Sequence, residues 1–357
     1  GAIDCGDIGC RFDPEVNVCQ GAPGIRFSVV AGAGARLTLA FDQNDTYVSN
    51  TPDAGFTLIQ LRAFGSMPFI NHSFFLVNIR AEDSVRLVWA LFQVPLGDLG
   101  HYLQINSGSG SLTTGRIVSA ARQPLLDPAF YMLNAFEQGN GGSLELGGPI
   151  DTSGILRFRL FAAAGSGLFA GNVGGARLDT TPEASNFAWL AGAQFQVDII
   201  GHTDRLDLGA PYTPMPLSLA FFAGAKYDQR PIEQFVAWQA MMSFRWWHFM
   251  LRAETVGRMV FDYGGSINEA FNILASVLLV PRTLVISADA GGFYRPLGYD
   301  ETMLTGLSTG ARNRLFLPEE FQWRVGLTWY FFRNVGTLTA LYRENYSPQS
   351  IYTTSLR

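Results

Sequence analysis

The stretch "QWRVGLTWYFFRNVGTLTALYREN", Gln322 to Asn345, reads as two strands joined by a turn at Arg333-Asn334. Side chains alternate across a strand, so Trp323, Val325, Leu327, Trp329 and Phe331 share one face. Gln322, Arg324, Gly326, Thr328 and Tyr330 share the other. A soluble sheet covers such an apolar face with a second layer. The same period of two recurs nearly end to end. In "IRFSVVAGAGARLTLAF", Phe27, Val29, Ala31, Ala33, Ala35, Leu37, Leu39 and Phe41 oppose Arg26, Ser28, Arg36 and Thr38. In "FAWLAGAQFQVDII", Trp189, Phe195, Val197 and Ile199 oppose Gln194, Gln196 and Asp198. In "WHFMLRAETVGRMVF", Trp247, Phe249, Leu251, Ala253, Met259 and Phe261 oppose His248, Arg252, Glu254 and Arg258.

Many of these runs exceed the soluble mean of about 5–6 residues and reach the roughly 9–11 that cross a bilayer when tilted. The runs are 25–41, 55–64, 72–81, 84–92, 130–138, 142–147, 154–163, 186–200, 215–228, 233–244, 246–261, 268–280, 282–294, 320–331, 334–345 and 349–357. The expectation is therefore an all-β, transmembrane antiparallel β-barrel of about 16 strands, within a range of roughly 14–18. Residues 25–357 form the barrel, and residues 1–24 a non-barrel arm. Short turns at Glu82-Asp83-Ser84, Arg230-Pro231, Pro281-Arg282 and Arg333-Asn334 are expected on one rim. The longer segments 43–54, 97–127, 165–185, 202–214 and 295–320 are expected on the other. Aromatic residues gather at strand ends: Trp246, Trp247, Phe293, Tyr294, Tyr330, Phe331, Phe332, Tyr342 and Tyr346. Trp and Tyr favour a membrane–water interface because one end is apolar and the other hydrogen-bonds.

Bulk composition agrees. Charged residues make up 15% of the 357, below the roughly 25% of soluble domains. Mean hydropathy is +0.13, yet no apolar run reaches the roughly 18 residues of a membrane helix. A net charge of −5 argues against nucleic acid as a partner. No leader peptide is visible, and Gly1 fits a residue left after its removal. Cys5, Cys10 and Cys19 all lie in the arm. One disulfide among them is expected over three free thiols, with the odd cysteine free or paired elsewhere. Four metal ligands are not found together there, so neither a metal nor another cofactor is expected.

Several segments, in matching order, resemble the phosphate-selective porin O/P family of Gram-negative outer membranes. "RVGLTWYFFRNVGTLTALYREN" resembles that family's penultimate hairpin. "SVRLVWALFQVPLG" resembles its strand exit, and "GSLELGGPI" with "GILRFRLFAAAGSG" resembles the pair that follows. The sharpest matches are Phe92-Gln93-Val94-Pro95-Leu96-Gly97 and Thr328-Trp329-Tyr330. The resemblance implies an outer-membrane barrel surrounded by lipid and lipopolysaccharide, and by analogy a homotrimer. Phosphate selectivity is not carried over, because Lys226 is the single lysine among 25 basic residues. Such barrels also usually end in an aromatic residue, where this chain has Ser355-Leu356-Arg357.

Lipid dictates the outward face, so the inward face carries the function. Arg36, Arg62, Arg80, Arg86, Arg157, Arg159, Arg252, Arg258 and Arg324, with Glu254, are the candidate pore-lining residues. A cationic lumen favours anions, and arginine keeps its charge at any relevant pH. The same arginines could instead pair with Glu254 and Asp289 and fill the lumen. No catalytic residues are expected. His72 and Ser73 point to opposite faces of a strand, and His101, His202 and His248 lie in separate segments. The 97–127 segment is long enough to fold inward. The leading expectation is a porin-like channel for small anionic solutes. The alternative is a structural barrel, plugged by its loops, that anchors an envelope complex through a protein partner gripped by residues 1–24.

Overall fold

The computed structural model describes residues 11–13, 18–20, 25–41, 46–67, 70, 73–81, 85–107, 112, 123–126, 142–165, 188–204, 208–229, 234–262, 264–298, 319–332, 336–346 and 352–356. Two short strands, β1 (Arg11–Asp13) and β2 (Val18–Gln20), form a separate antiparallel pair. Sixteen further strands follow in chain order. They are β3 (Ile25–Phe41), β4 (Tyr47–Gly65), β5 (Phe74–Ala81), β6 (Val85–Leu96), β7 (His101–Ser107), β8 (Gly142–Pro149), β9 (Leu156–Gly165) and β10 (Ala188–Ile200). The second half holds β11 (Met215–Gln229), β12 (Gln234–Trp247), β13 (Phe249–Val260), β14 (Ser266–Val280), β15 (Leu284–Leu297), β16 (Glu320–Phe332), β17 (Gly336–Tyr346) and β18 (Tyr352–Leu356). Each pairs antiparallel with its neighbour, and β18 closes the barrel on β3 through Tyr352↔Phe41 to Leu356↔Leu37.

The polarity of the wall is inverted relative to a soluble barrel. On β16, Gln322, Arg324 and Thr328 are buried, whereas Phe321, Leu327, Trp329 and Phe331 are exposed. On β10, Gln194, Gln196 and Asp198 are buried between the exposed Phe195, Val197 and Ile199. Among the described residues, exposed apolar side chains run round the barrel from Phe27 and Val29 on β3 to Leu338 on β17. Only an apolar solvent makes that arrangement favourable, because polar groups left in hydrocarbon without partners cost several kcal/mol. Trp246, Trp247, Phe331 and Phe332 are exposed at one rim; Trp189, Tyr294, Phe321 and Tyr346 are exposed at the other. From Phe321 to Phe331, ten residues at about 3.3 Å each and a tilt of roughly 40° give a band about 25 Å tall, the height of an outer-membrane barrel's apolar belt.

Three readings from the sequence need correction. β7 occupies residues assigned to a long loop, because its alternation lasts only from His101 to Ser107 before a Gly-Ser tract. The predicted strand at 130–138 lies outside the described residues. The turns also sort differently. The rim of a connection is set by the parity of the strands before it, not by its length. Residues 82–84 and 230–233 thus lie at the same rim as the long connections 108–141, 166–187 and 298–319. This is the loop rim. Residues 201–214 lie at the opposite rim, where β3 begins, together with 281–283 and 333–335. Phe293, expected in an interface belt, turns inward and is buried. Of the three cysteines, Cys5 and Cys10 lie outside the described residues, and only the backbone of Cys19 is described, opposite Phe12.

The inverted wall generates a direct test. Leu327, exposed near the middle of β16, should tolerate no charge. Leu327→Arg is expected to destabilise the barrel by about 2–4 kcal/mol, measured by denaturant titration of refolding into lipid vesicles.

Candidate functional site

The inner wall is bound into a hydrogen-bonded belt that crosses seven strands. It starts on β7, where the Tyr102 hydroxyl donates to Glu145 Oε1 on β8 at 2.8 Å. Arg159 on β9 donates through Nη1 to Glu145 Oε2 at 3.2 Å and through Nη2 to Gln194 Oε1 on β10 at 2.8 Å. Gln194 Nε2 reaches Gln239 Oε1 on β12 at 2.7 Å, passing over β11. Gln239 Nε2 then donates to Glu254 Oε1 on β13 at 2.9 Å.

The crossing over β11 requires a missing side chain. Gly224 sits opposite both Gln194 and Gln239 in register. A Cβ at Gly224 would lie 2.8 Å from the Ala193 carbonyl oxygen and 2.9 Å from Leu112 Cδ2. Glycine therefore lets two glutamines meet across strands about 9–10 Å apart.

A second polar group lies on β14–β16. Arg324 forks onto Asp289, with Nε 2.9 Å from Oδ1 and Nη2 bonded to Oδ2. Asn272 Nδ2 completes the carboxylate's coordination at 3.1 Å. A planar guanidinium meeting a carboxylate through two bonds fixes orientation as well as charge.

The sequence-predicted lining residues separate into four groups. Arg159, Arg252, Glu254, Arg258 and Arg324 are buried on the inner wall. Arg62 and Arg157 are partly buried; Arg62 Nη2 donates to Gln60 at 2.7 Å, and Arg157 Nε donates to the Gly154 carbonyl at 3.2 Å. Arg36 pairs with Asp53 at 3.2 Å on a part of the β3–β4 hairpin to which the β5 ladder does not extend. Arg80 and Arg86 oppose each other across β5 and β6, but their side chains lie outside the description. Among the described residues, six buried cations (Arg159, Lys226, Arg245, Arg252, Arg258 and Arg324) face five buried carboxylates (Glu145, Asp198, Asp228, Glu254 and Asp289). The excess is a single positive charge. Lys226 and Asp228 lie 3.5 Å apart.

The inner wall is also less polar than its arginines suggest. Phe161, Phe222, Phe235, Met241, Met250, Leu274 and Phe293 are all buried on it. Three loop leucines join them. Leu112 packs with Phe161, Ala163 and Leu190. Leu125 packs with Met215, Met250, Leu274 and Leu341. Leu208 packs with Ala220, Phe222 and Met241. Leu112 and Leu125 come from the loop rim, and Leu208 from the opposite rim. The length of the 97–127 segment points to an inward fold, but loop leucines have no periodicity, so nothing in the sequence picks out Leu112 and Leu125 within it, or Leu208.

No protein-family model matches this chain, and no curated relative matches it. Solved structures match its fold over nearly its whole length. The high-pH structure of OprB from Pseudomonas putida superposes with a TM-score of 0.59 at 8% identity, covering 92% of this chain and 93% of that one. An anion-selective porin from Comamonas acidovorans gives 0.58 at 8% identity, covering 93% and 98%. OmpT of Vibrio cholerae, an outer membrane protein in its trimer form, gives 0.50 at 9% identity, covering 93% and 97%. The architecture is that of the outer-membrane porin barrels.

Two outcomes follow for these polar groups. Arg324→Met should cost about 3–5 kcal/mol in vesicle unfolding titrations by stranding a buried Asp289, and Arg324→Met/Asp289→Leu should recover most of it. Gly224→Ala should displace Leu112 and separate Gln194 from Gln239, visible as loss of hydrogen-exchange protection across β10–β12.

Proposed function

We propose that the chain is an outer-membrane channel for passive diffusion of small solutes, with a modest preference for anions. The observation that carries this reading is the closed wall itself: apolar outside, hydrogen-bonded polar groups inside, around a continuous inner face. The preference is modest because buried cations exceed buried carboxylates by one. Arg252 and Arg258 would supply the attraction from β13, and the anion selectivity of the Comamonas acidovorans porin, which shares the fold, is in line with it. Guanidinium groups in a low-dielectric lumen lower the barrier for anions and raise it for cations. Catalysis is not part of the reading. A homotrimer in the membrane is part of it, supported by the trimer form of the Vibrio cholerae protein.

A second reading is favoured by one observation. Leu112, Leu125 and Leu208 are each 1–2% exposed inside the barrel, which suits a filled scaffold that conducts nothing. Planar-bilayer recording separates the two. The channel reading expects stepwise conductance with a reversal potential on the chloride side in a salt gradient. It further expects Arg252→Glu/Arg258→Glu to move that reversal potential toward the cation side. Silence from protein that is folded by heat-modifiability on gels favours the scaffold. Conductance with unchanged selectivity in the double variant would remove Arg252 and Arg258 from the filter.

A further inference from the structure

Packing inside the barrel is one-sided. On β12, β13 and β14 the inward row is buried from end to end: Phe235 to Arg245, Met250 to Val260, and Ser266 to Leu278. Ser287 and Asp289 on β15 continue it, as do Gln322, Arg324 and Thr328 on β16. Leu125, packed on Met250, Leu274 and Leu341, extends this filled side as far as β17. Beyond it the inner wall is less covered. Thr339 and Arg343 on β17, Ser28, Val30 and Gly32 on β3, and Arg62 on β4 occupy inward rows and are each partly exposed.

Charge divides along the same line. The arc from β8 to β16 sets five buried carboxylates against its six buried cations. From β17 round to β6, the inward register positions hold Arg26, Arg36, Arg62, Arg80, Arg86 and Arg343. Among the described residues they hold one carboxylate, Asp53, which pairs with Arg36. Glu344 lies on the outward row of β17, opposite Trp323. Glu320, at the loop-rim end of β16, is near enough to Arg343 to feel its charge. Gln60 accepts from Arg62 Nη2 at 2.7 Å and so fixes that guanidinium, with Ser28 and Asn78 opposite it in register.

The less covered part of the wall is therefore also the part whose positive charge is least balanced. A low-dielectric wall focuses such a field onto the water beside it. Guanidinium groups also recognise carboxylates through a planar fork. We propose that solutes cross the barrel off its axis, along the inner face of β17, β3 and β4, and that Arg343 and Arg62 are the groups that chloride and small carboxylates meet there. The route rests on the channel reading and gives that channel its specificity-determining residues. Arg252 and Arg258 act on it from the filled side, through the field rather than by contact.

The test uses the full chain with Cys5, Cys10 and Cys19 replaced by serine, carrying Ser28→Cys, Ser243→Cys or Ser276→Cys. Ser243 and Ser276 are each 1% exposed on the filled side. Sulfonatoethyl methanethiosulfonate, which does not cross membranes, should modify Ser28→Cys at least about tenfold faster than the other two, which react only through local opening. Added during planar-bilayer recording, it should lower the current through Ser28→Cys and leave the other two unchanged. In a potassium chloride gradient, Arg62→Glu/Arg343→Glu should move the reversal potential toward the cation side by more than Arg252→Glu/Arg258→Glu does. Three results would overturn the route and leave the channel reading standing, provided the parent conducts. They are Ser28→Cys reacting no faster than Ser243→Cys, its modification without a change in current, or a shift from Arg62→Glu/Arg343→Glu no larger than that of the other pair. If every folded form is silent, the route and the channel reading fall together.

Discussion

The fold depends on one constraint: a bilayer offers no hydrogen-bond partner to the backbone. Every strand must therefore be paired on both edges, which only a closed barrel achieves. Closure is not uniformly strong. β13 and β14 share a ladder from Phe249↔Val277 to Val260↔Ser266, whereas β18 meets β17 only from Tyr342↔Leu356 to Asn345↔Thr353. The ladder between β4 and β5 is also short, running from Gln60↔Arg80 to Gly65↔Phe75. The well-laddered half, β9 to β16, also holds most of the buried polar belt and of the apolar lumenal clusters. Backbone pairing and interior packing reinforce the same arc of wall.

Inside that arc the energetics differ from those of a water-filled pore. Glu145, Asp289, Arg159 and Arg324 are nearly inaccessible, so each charge has lost most of its hydration. Such charges persist only when paired and hydrogen-bonded, as the Arg324–Asp289 fork and the Arg159–Glu145 contact are. Their use is in specifying geometry. A belt that must satisfy Tyr102, Glu145, Arg159, Gln194, Gln239 and Glu254 together admits one register of β7 to β13, since a one-residue slip would turn each of them to lipid.

Much of the wall was legible in the sequence because lipid imposes a period of two on every strand. Trp323, Val325, Leu327 and Trp329 were assignable to the outside, and Arg252, Glu254 and Arg258 to the inside, from alternation alone. The alternation also yields sixteen runs, although one of them, 130–138, lies outside the described residues and β7 was hidden by its shortness. What alternation could not carry was partnership. Gln239 meets Gln194 only because Gly224 puts no side chain in the row between them, a relation across three strands with no local signature. The inward aromatic and aliphatic residues were hidden too, since a strand with Phe235, Ala237 and Met241 inside and Trp238 outside is apolar on both faces. Leu208 was less legible still, because its place follows from a glycine bend and two distant side chains.

The central claim is that lipid covers one face of each strand and protein the other. Spin labels placed singly at positions 322 to 329 on β16, in native-like bilayers, test it most directly. The account predicts that labels at 323, 325, 327 and 329 relax strongly with dissolved oxygen, which concentrates in hydrocarbon, while those at 322, 324, 326 and 328 do not. Equal oxygen accessibility along the strand, or the opposite phase, would contradict it.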